Sequence, residues 1–130
     1  MPITTSCKVD AHVHLSGPEA LESLGLAGVA AVRDAGTKDG AGLELKKDQA
    51  AADGLFIQTA GRALSRKGGY GGFFGKGLET DDEIKEEIRT LRKAGAGIIK
   101  AMASGIVSLS DPGTITAGGF SGESRNEGIS

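Results

Sequence analysis

The sequence predicts an α/β fold with parallel strands, on three observations. Apolar runs at 7–14, 28–36, 55–59 and 97–103 are short for helices and bounded by glycine or polar residues, as buried strands are. The stretches between them carry helix-forming composition and capping patterns. Strands and helices then alternate at a spacing that implies parallel pairing through right-handed crossovers. Open doubly wound sheets and barrels both satisfy that pattern.

The first strand, over 7–14, lies in Lys8-Val-Asp-Ala-His-Val-His-Leu15. Strand alternation puts Val9, Ala11, Val13 and Leu15 on one face and Asp10, His12 and His14 on the other. Ser16-Gly-Pro-Glu19 has the form of a capping box and predicts a short helix over 18–24, closed by Gly25. Gly28-Val-Ala-Ala-Val-Arg-Asp-Ala-Gly36 reads as the second strand. A helix over 43–52, rich in Lys, Ala and Glu, stops near Gly54, and the third strand follows at 55–59.

From Gly61 to Gly77 seven of seventeen residues are glycine, so the segment reads as a loop. Tyr70, Phe73 and Phe74 lie in it, three of the five aromatic residues, which favours a substrate-facing loop over a plain mobile one. Thr80-Asp-Asp-Glu83 is a second capping box. Ile84, Ile88 and Leu91 then mark one helical face, and Arg89, Arg92 and Lys93 gather before Gly95. The fourth strand, 97–103, leads into Ser104-Gly105. Residues 1–110 are expected to form the folded unit and 111–130 a loop and flexible tail.

A chain of 130 residues fits one domain. Its net charge of -2 offers no footprint for nucleic acid or an anionic membrane, and no apolar run reaches transmembrane length. Cys7 is the single cysteine, which suits a reducing compartment, and Met1-Pro-Ile-Thr-Thr begins no signal-peptide pattern. A cytoplasmic protein is the expectation. The 22 glycines and 4% aromatics force the core onto short aliphatic runs and raise the entropy cost of ordering. A fragment without a single folded state is therefore one reading of this composition.

In parallel sheets and barrels the chemistry gathers at the C-terminal ends of strands. The sequence offers His12 and His14 there, then Arg33-Asp34, Arg62 and Lys100. Imidazole is the commonest protein metal ligand, and these are the two histidines of the chain. A His-x-His pair alone also fits two solvated residues on an edge strand. Lys100 interrupts an apolar run, where it either snorkels to solvent or serves a function that tolerates burial.

Val9-Asp-Ala-His-Val-His-Leu15, the 28–36 block and Ala94-Gly-Ala-Gly-Ile-Ile-Lys-Ala-Met-Ala-Ser-Gly105 together resemble three blocks of the amidohydrolase superfamily. They are similar in particular to its imidazolonepropionase-like and Xaa-Pro dipeptidase-like members, in family order and over most of the chain to about Phe120. The resemblance implies a partial (β/α)8 TIM barrel of about four parallel strands with three intervening helices. It implies a divalent metal cofactor, usually zinc and one or two ions, held by His12, His14 and Lys100. Lys100 would be the lysine that reacts with carbon dioxide to give a carbamate (carboxylysine) bridging two metals. Asp10, Arg33 and Asp34 would be supporting residues, and Tyr70 a residue of the substrate loop.

The implied activity is hydrolysis of C–N bonds in a small-molecule amide, dipeptide or cyclic amide by metal-activated water. Family members also use two histidines from strands five and six and an aspartate from strand eight, and this chain has no third histidine. The expectation is thus a truncated or split metal-dependent amidohydrolase, without a nucleic-acid or membrane partner. The alternative is a non-catalytic half-barrel that associates with itself or with a missing C-terminal half through open strand edges.

Overall fold

The computed structural model describes residues 7–48, 54–108 and 110–120. The first half holds β1 (Lys8–Val13), α1 (Pro18–Leu26), β2 (Val29–Asp34), α2 (Ala41–Lys47) and β3 (Phe56–Thr59). The second holds β4 (Ala63–Arg66), a 3-10 turn at Gly72–Phe74, β5 (Gly75–Leu78), α3 (Asp81–Ala94) and β6 (Lys100–Ala101).

The strands pair in parallel, in the order β1-β2-β3 and, beyond a joint at 60–62, β5-β4-β6. These are successive lengths of one wall. Ala60 N donates to the Asp34 carbonyl at 3.0 Å, Gly97 N to that of Thr59 at 2.9 Å, and Met102 N to that of Leu64 at 2.9 Å. The course β1, β2, β3 with β4, then β6 is the mixed α/β, parallel arrangement expected from the sequence, and it is open among the described residues.

The glycine-rich segment departs from its expectation as a loop. It contains β4 and β5, which pair in parallel although residues 67–74 alone connect them. Parallel strands usually need a dozen residues or more to cross over. Near the end of the described residues Val107 and Ile115 form an antiparallel bridge, flanked by Ser108 N to the Thr114 carbonyl at 2.9 Å and Thr116 N to that of Ile106 at 2.8 Å.

Helix α1 starts at Pro18 as expected, but its N-cap is Gly17 and no side chain caps it. Proline at the first helical position fixes the frame one residue later than the Ser16–Glu19 box requires. The helix runs on past Gly25 to Leu26. Helix α2 begins at Ala41 and is capped at Asp48; the rest of its expected range, 49–52, lies outside the described residues.

Two apolar clusters hold the wall to its helices. Leu15, Leu21, Val32, Leu45, Leu55 and Ile57 form the first, and Leu43, Leu64, Leu78, Ile84 and Leu91 the second, with Phe120 packed against it. Leu43 and Leu45 are two apart on a helix and therefore point to different sides. α2 is thus the wedge between the clusters. Arg62, at the joint between β3 and β4, pairs with the buried Glu87 of α3 at 2.7 Å and fastens that joint to the helix.

Helix α3 carries the capping box expected from its sequence. Thr80 accepts from Glu83 N at 3.2 Å while the Glu83 carboxylate accepts from Thr80 N at 3.2 Å and Glu79 N at 2.7 Å. The Glu79 and Thr80 amides hold the Glu83 carboxyl below its usual range. A depressed folded-state value stabilises above the unfolded one, and this contribution fades as pH falls through it. Gly95, with φ 103°, closes the helix in the left-handed conformation glycine adopts freely. Thr80→Ala is expected to cost about 1 kcal/mol, read as a lower urea midpoint at neutral pH; an unchanged midpoint would contradict the box.

Candidate metal centre

β1 does not pair evenly with β2. Asp10 faces Val32 and Val13 faces Asp34, so three steps of β1 match two of β2. The irregularity falls on Ala11 and His12, interrupting the strict alternation expected there. Such bulges re-aim a side chain, and here the His12 amide is taken up by Asp10 Oδ1 at 3.1 Å. The His12 and His14 ring centroids lie 5.4 Å apart, tilted by 57°. His12 is exposed and His14 half-buried just beyond the end of β1.

His14 is held on two sides. Its Nδ1 lies 2.6 Å from the Gly36 carbonyl oxygen. A carbonyl can only accept, so Nδ1 carries the proton and, in the neutral ring, Nε2 keeps its lone pair. Phe74 stacks on the imidazole face, with centroids 4.0 Å apart and planes 12° from parallel.

Asp34 organises this geometry from beneath. The side chain is fully buried, and its Oδ1 accepts from Leu15 N and Gly36 N, both at 3.1 Å. Its Oδ2 accepts from Thr59 Oγ1 at 2.5 Å, and Thr59 Oγ1 in turn accepts from Gly61 N at 2.8 Å. One carboxylate therefore ties the residue after His14 to the residue whose carbonyl binds His14. Gly42 of α2 lies directly against it: a Cβ there would collide with Asp34 Oδ2 and stand 2.6 Å from Thr59 Oγ1.

The other sequence-derived positions are more dispersed. Lys100 is half-buried on β6 beside Ala63 of β4, and its ammonium has no hydrogen-bond or ion-pair partner among the described residues. Arg33 is exposed and donates to Gln58 Oε1 at 3.1 Å. Tyr70 packs edge-on against Phe73 at 5.5 Å, and its amide donates to the Ala117 carbonyl at 3.0 Å. Gly36, Thr59 and Phe74 were not singled out by sequence as parts of the site; the aromatic cluster in the glycine-rich segment was the one signal toward Phe74.

As a test of fit for a metal, two imidazoles project from neighbouring positions, and one has its tautomer set so that Nε2 is the free donor. That is the arrangement in which metal-ligating histidines are usually found. Among the described residues no group of three His, Cys, Asp or Glu side chains could hold a metal ion. The two imidazoles therefore fit part of a coordination sphere.

No family model and no curated protein matches the chain. Solved structures do. An amidohydrolase crystal structure superposes with a TM-score of 0.71 at 25% identity, over 93% of this chain and 38% of that one. An uncharacterised protein gives 0.66 at 24% identity over the same shares. A prolidase complexed with N-methylphosphonate-L-proline gives 0.58 at 23% identity, over 87% of this chain and 36% of that one. The amidohydrolase neighbour supports a relationship to the amidohydrolase superfamily, the other two share the fold, and the chain spans well under half the length of each. Among the described residues no helix is long and apolar enough to cross a membrane.

Proposed function

We propose that this chain supplies the first four strands of a metal-dependent amidohydrolase barrel, with His12, His14 and a carbamylated Lys100 as the ligands it contributes to a divalent metal, zinc in the first instance. The observation that carries the reading is the His14 geometry: Nδ1–H committed to the Gly36 carbonyl and Nε2 left as a donor beside His12. The likeness to an amidohydrolase structure supports a hydrolase reading, and the reaction we propose is hydrolysis of a C–N bond in a small amide or dipeptide. The bound metal would supply Lewis acidity toward an amide carbonyl and a water acidified to near-neutral pKa. The chain's own residues do the holding. Asp34 fixes Leu15 and Gly36, Gly36 fixes His14, and Asp10 takes the amide freed by the irregularity at His12.

A second reading, a half-barrel that acts by association, is favoured by apolar side chains left on the wall: Val9 of β1 is 67% exposed and Phe56 of β3 is 65% exposed. Metal content separates the two. Protein purified without chelator is expected to retain at least one zinc per chain by plasma mass spectrometry, and His14→Ala to fall to background with its circular dichroism unchanged. Wild-type protein at background after zinc is offered would favour the associating half-barrel instead.

A further inference from the structure

The aromatic ring on His14 is delivered by a segment built for close approach. Gly71 is buried, and a Cβ there would stand 2.5 Å from Met102 Cγ, beside β6. Gly75 opens β5, where a Cβ would run into the Ala63 carbonyl oxygen of β4. Between these two contacts the 3-10 turn is closed by Phe74 N donating to the Gly71 carbonyl at 2.9 Å. Phe73 packs on Phe74 with ring centroids 4.3 Å apart and planes tilted by 52°. The turn is thus pressed onto the sheet at both ends, and Phe74 is the side chain it lays on the imidazole.

We propose that Phe74 is a positioning residue for His14: its stacked ring fixes the imidazole plane while the Gly36 carbonyl fixes the tautomer, and together they set the chain's affinity for a divalent cation. The inference rests on the metal reading above. A hydrogen bond at one edge of a ring still allows the ring to swing about that bond. A face contact at 4.0 Å removes the swing without covering the in-plane lone pair of Nε2. Partners that orient a ligating histidine typically govern metal affinity by about 10- to 100-fold.

The test is a zinc titration of the full chain against a chromophoric chelator, with NMR of the histidine ring protons alongside. In the metal-free protein the His14 ring protons are expected upfield of those of His12, from the ring current of Phe74. Phe74→Leu should remove that shift and weaken zinc binding about tenfold, and Phe74→Trp should restore both. Loss of the shift in Phe74→Leu with zinc affinity unchanged would overturn the proposal and leave the metal reading standing. Wild-type protein that binds no zinc would overturn the metal reading and the proposal together. Far-UV circular dichroism of the whole chain reports whether each variant is folded.

Discussion

Asp34→Ala is expected to abolish cooperative unfolding or to lower stability by at least about 3 kcal/mol. The substitution strands three donors that now end on one buried carboxylate, Leu15 N–H, Gly36 N–H and the Thr59 hydroxyl. Each unsatisfied buried donor costs about 1–3 kcal/mol, against a total of about 5–15 kcal/mol for an ordinary domain. Asp34→Asn separates shape from charge. Its carbonyl oxygen can still accept from Leu15 and Gly36, and its NH2 meets a Thr59 hydroxyl that already accepts from Gly61. The loss should then be about half as large. Urea denaturation followed by circular dichroism reads both variants; a midpoint for Asp34→Ala within scatter of wild type would show that the carboxylate does not organise the sheet.

Gly42→Ala is expected to lower stability by about 3 kcal/mol, with the sign opposite to the usual one. In an ordinary helix interior alanine is favoured over glycine by about 1 kcal/mol. At this position the added methyl enters the space of Asp34 Oδ2 and crowds Thr59 Oγ1, neither of which is the free end of a flexible side chain. Overpacking alone costs about 1–3 kcal/mol, and displacing a fully hydrogen-bonded buried carboxylate adds to it. The same urea experiment decides the matter, since a stabilised Gly42→Ala would mean that α2 does not lie against the Asp34–Thr59 pair.

These two residues also show what the sequence could and could not disclose. α3 was legible because everything that defines it is local: Thr80 and Glu83 three apart, Ile84, Ile88 and Leu91 on one face, and Gly95 at the end. β1 and β2 were legible as apolar runs, and the His12–His14 pair as a two-residue spacing within one of them. The hub was not, because Asp34, Gly42 and Thr59 come from three elements and share no period. The sequence offers Asp34 as a polar strand end and, through the family resemblance, a supporting residue, but does not show it as the group on which three segments converge. The Ser16–Glu19 box misled because Pro18 and Gly17 together set a different frame. β4 and β5 are not legible because each is only four residues long, β4 (Ala63-Leu-Ser-Arg66) with no long apolar run and β5 with two glycines, and they are held largely by backbone pairing with each other.

The β4–β6 ladder has a consequence for how the site would breathe. β6 shares two ladder pairs with β4, Ala63 with Lys100 and Leu64 with Ala101, flanked by the bonds from Gly97 N and Met102 N, whereas β2 and β3 share four pairs. Regions with few ladder bonds open sub-globally at a fraction of the free energy of complete unfolding. The short ladder that carries Lys100 is therefore expected to open before the histidine end, which is tied down through Asp34. The lysine and the histidines would then belong to different cooperative units of one wall.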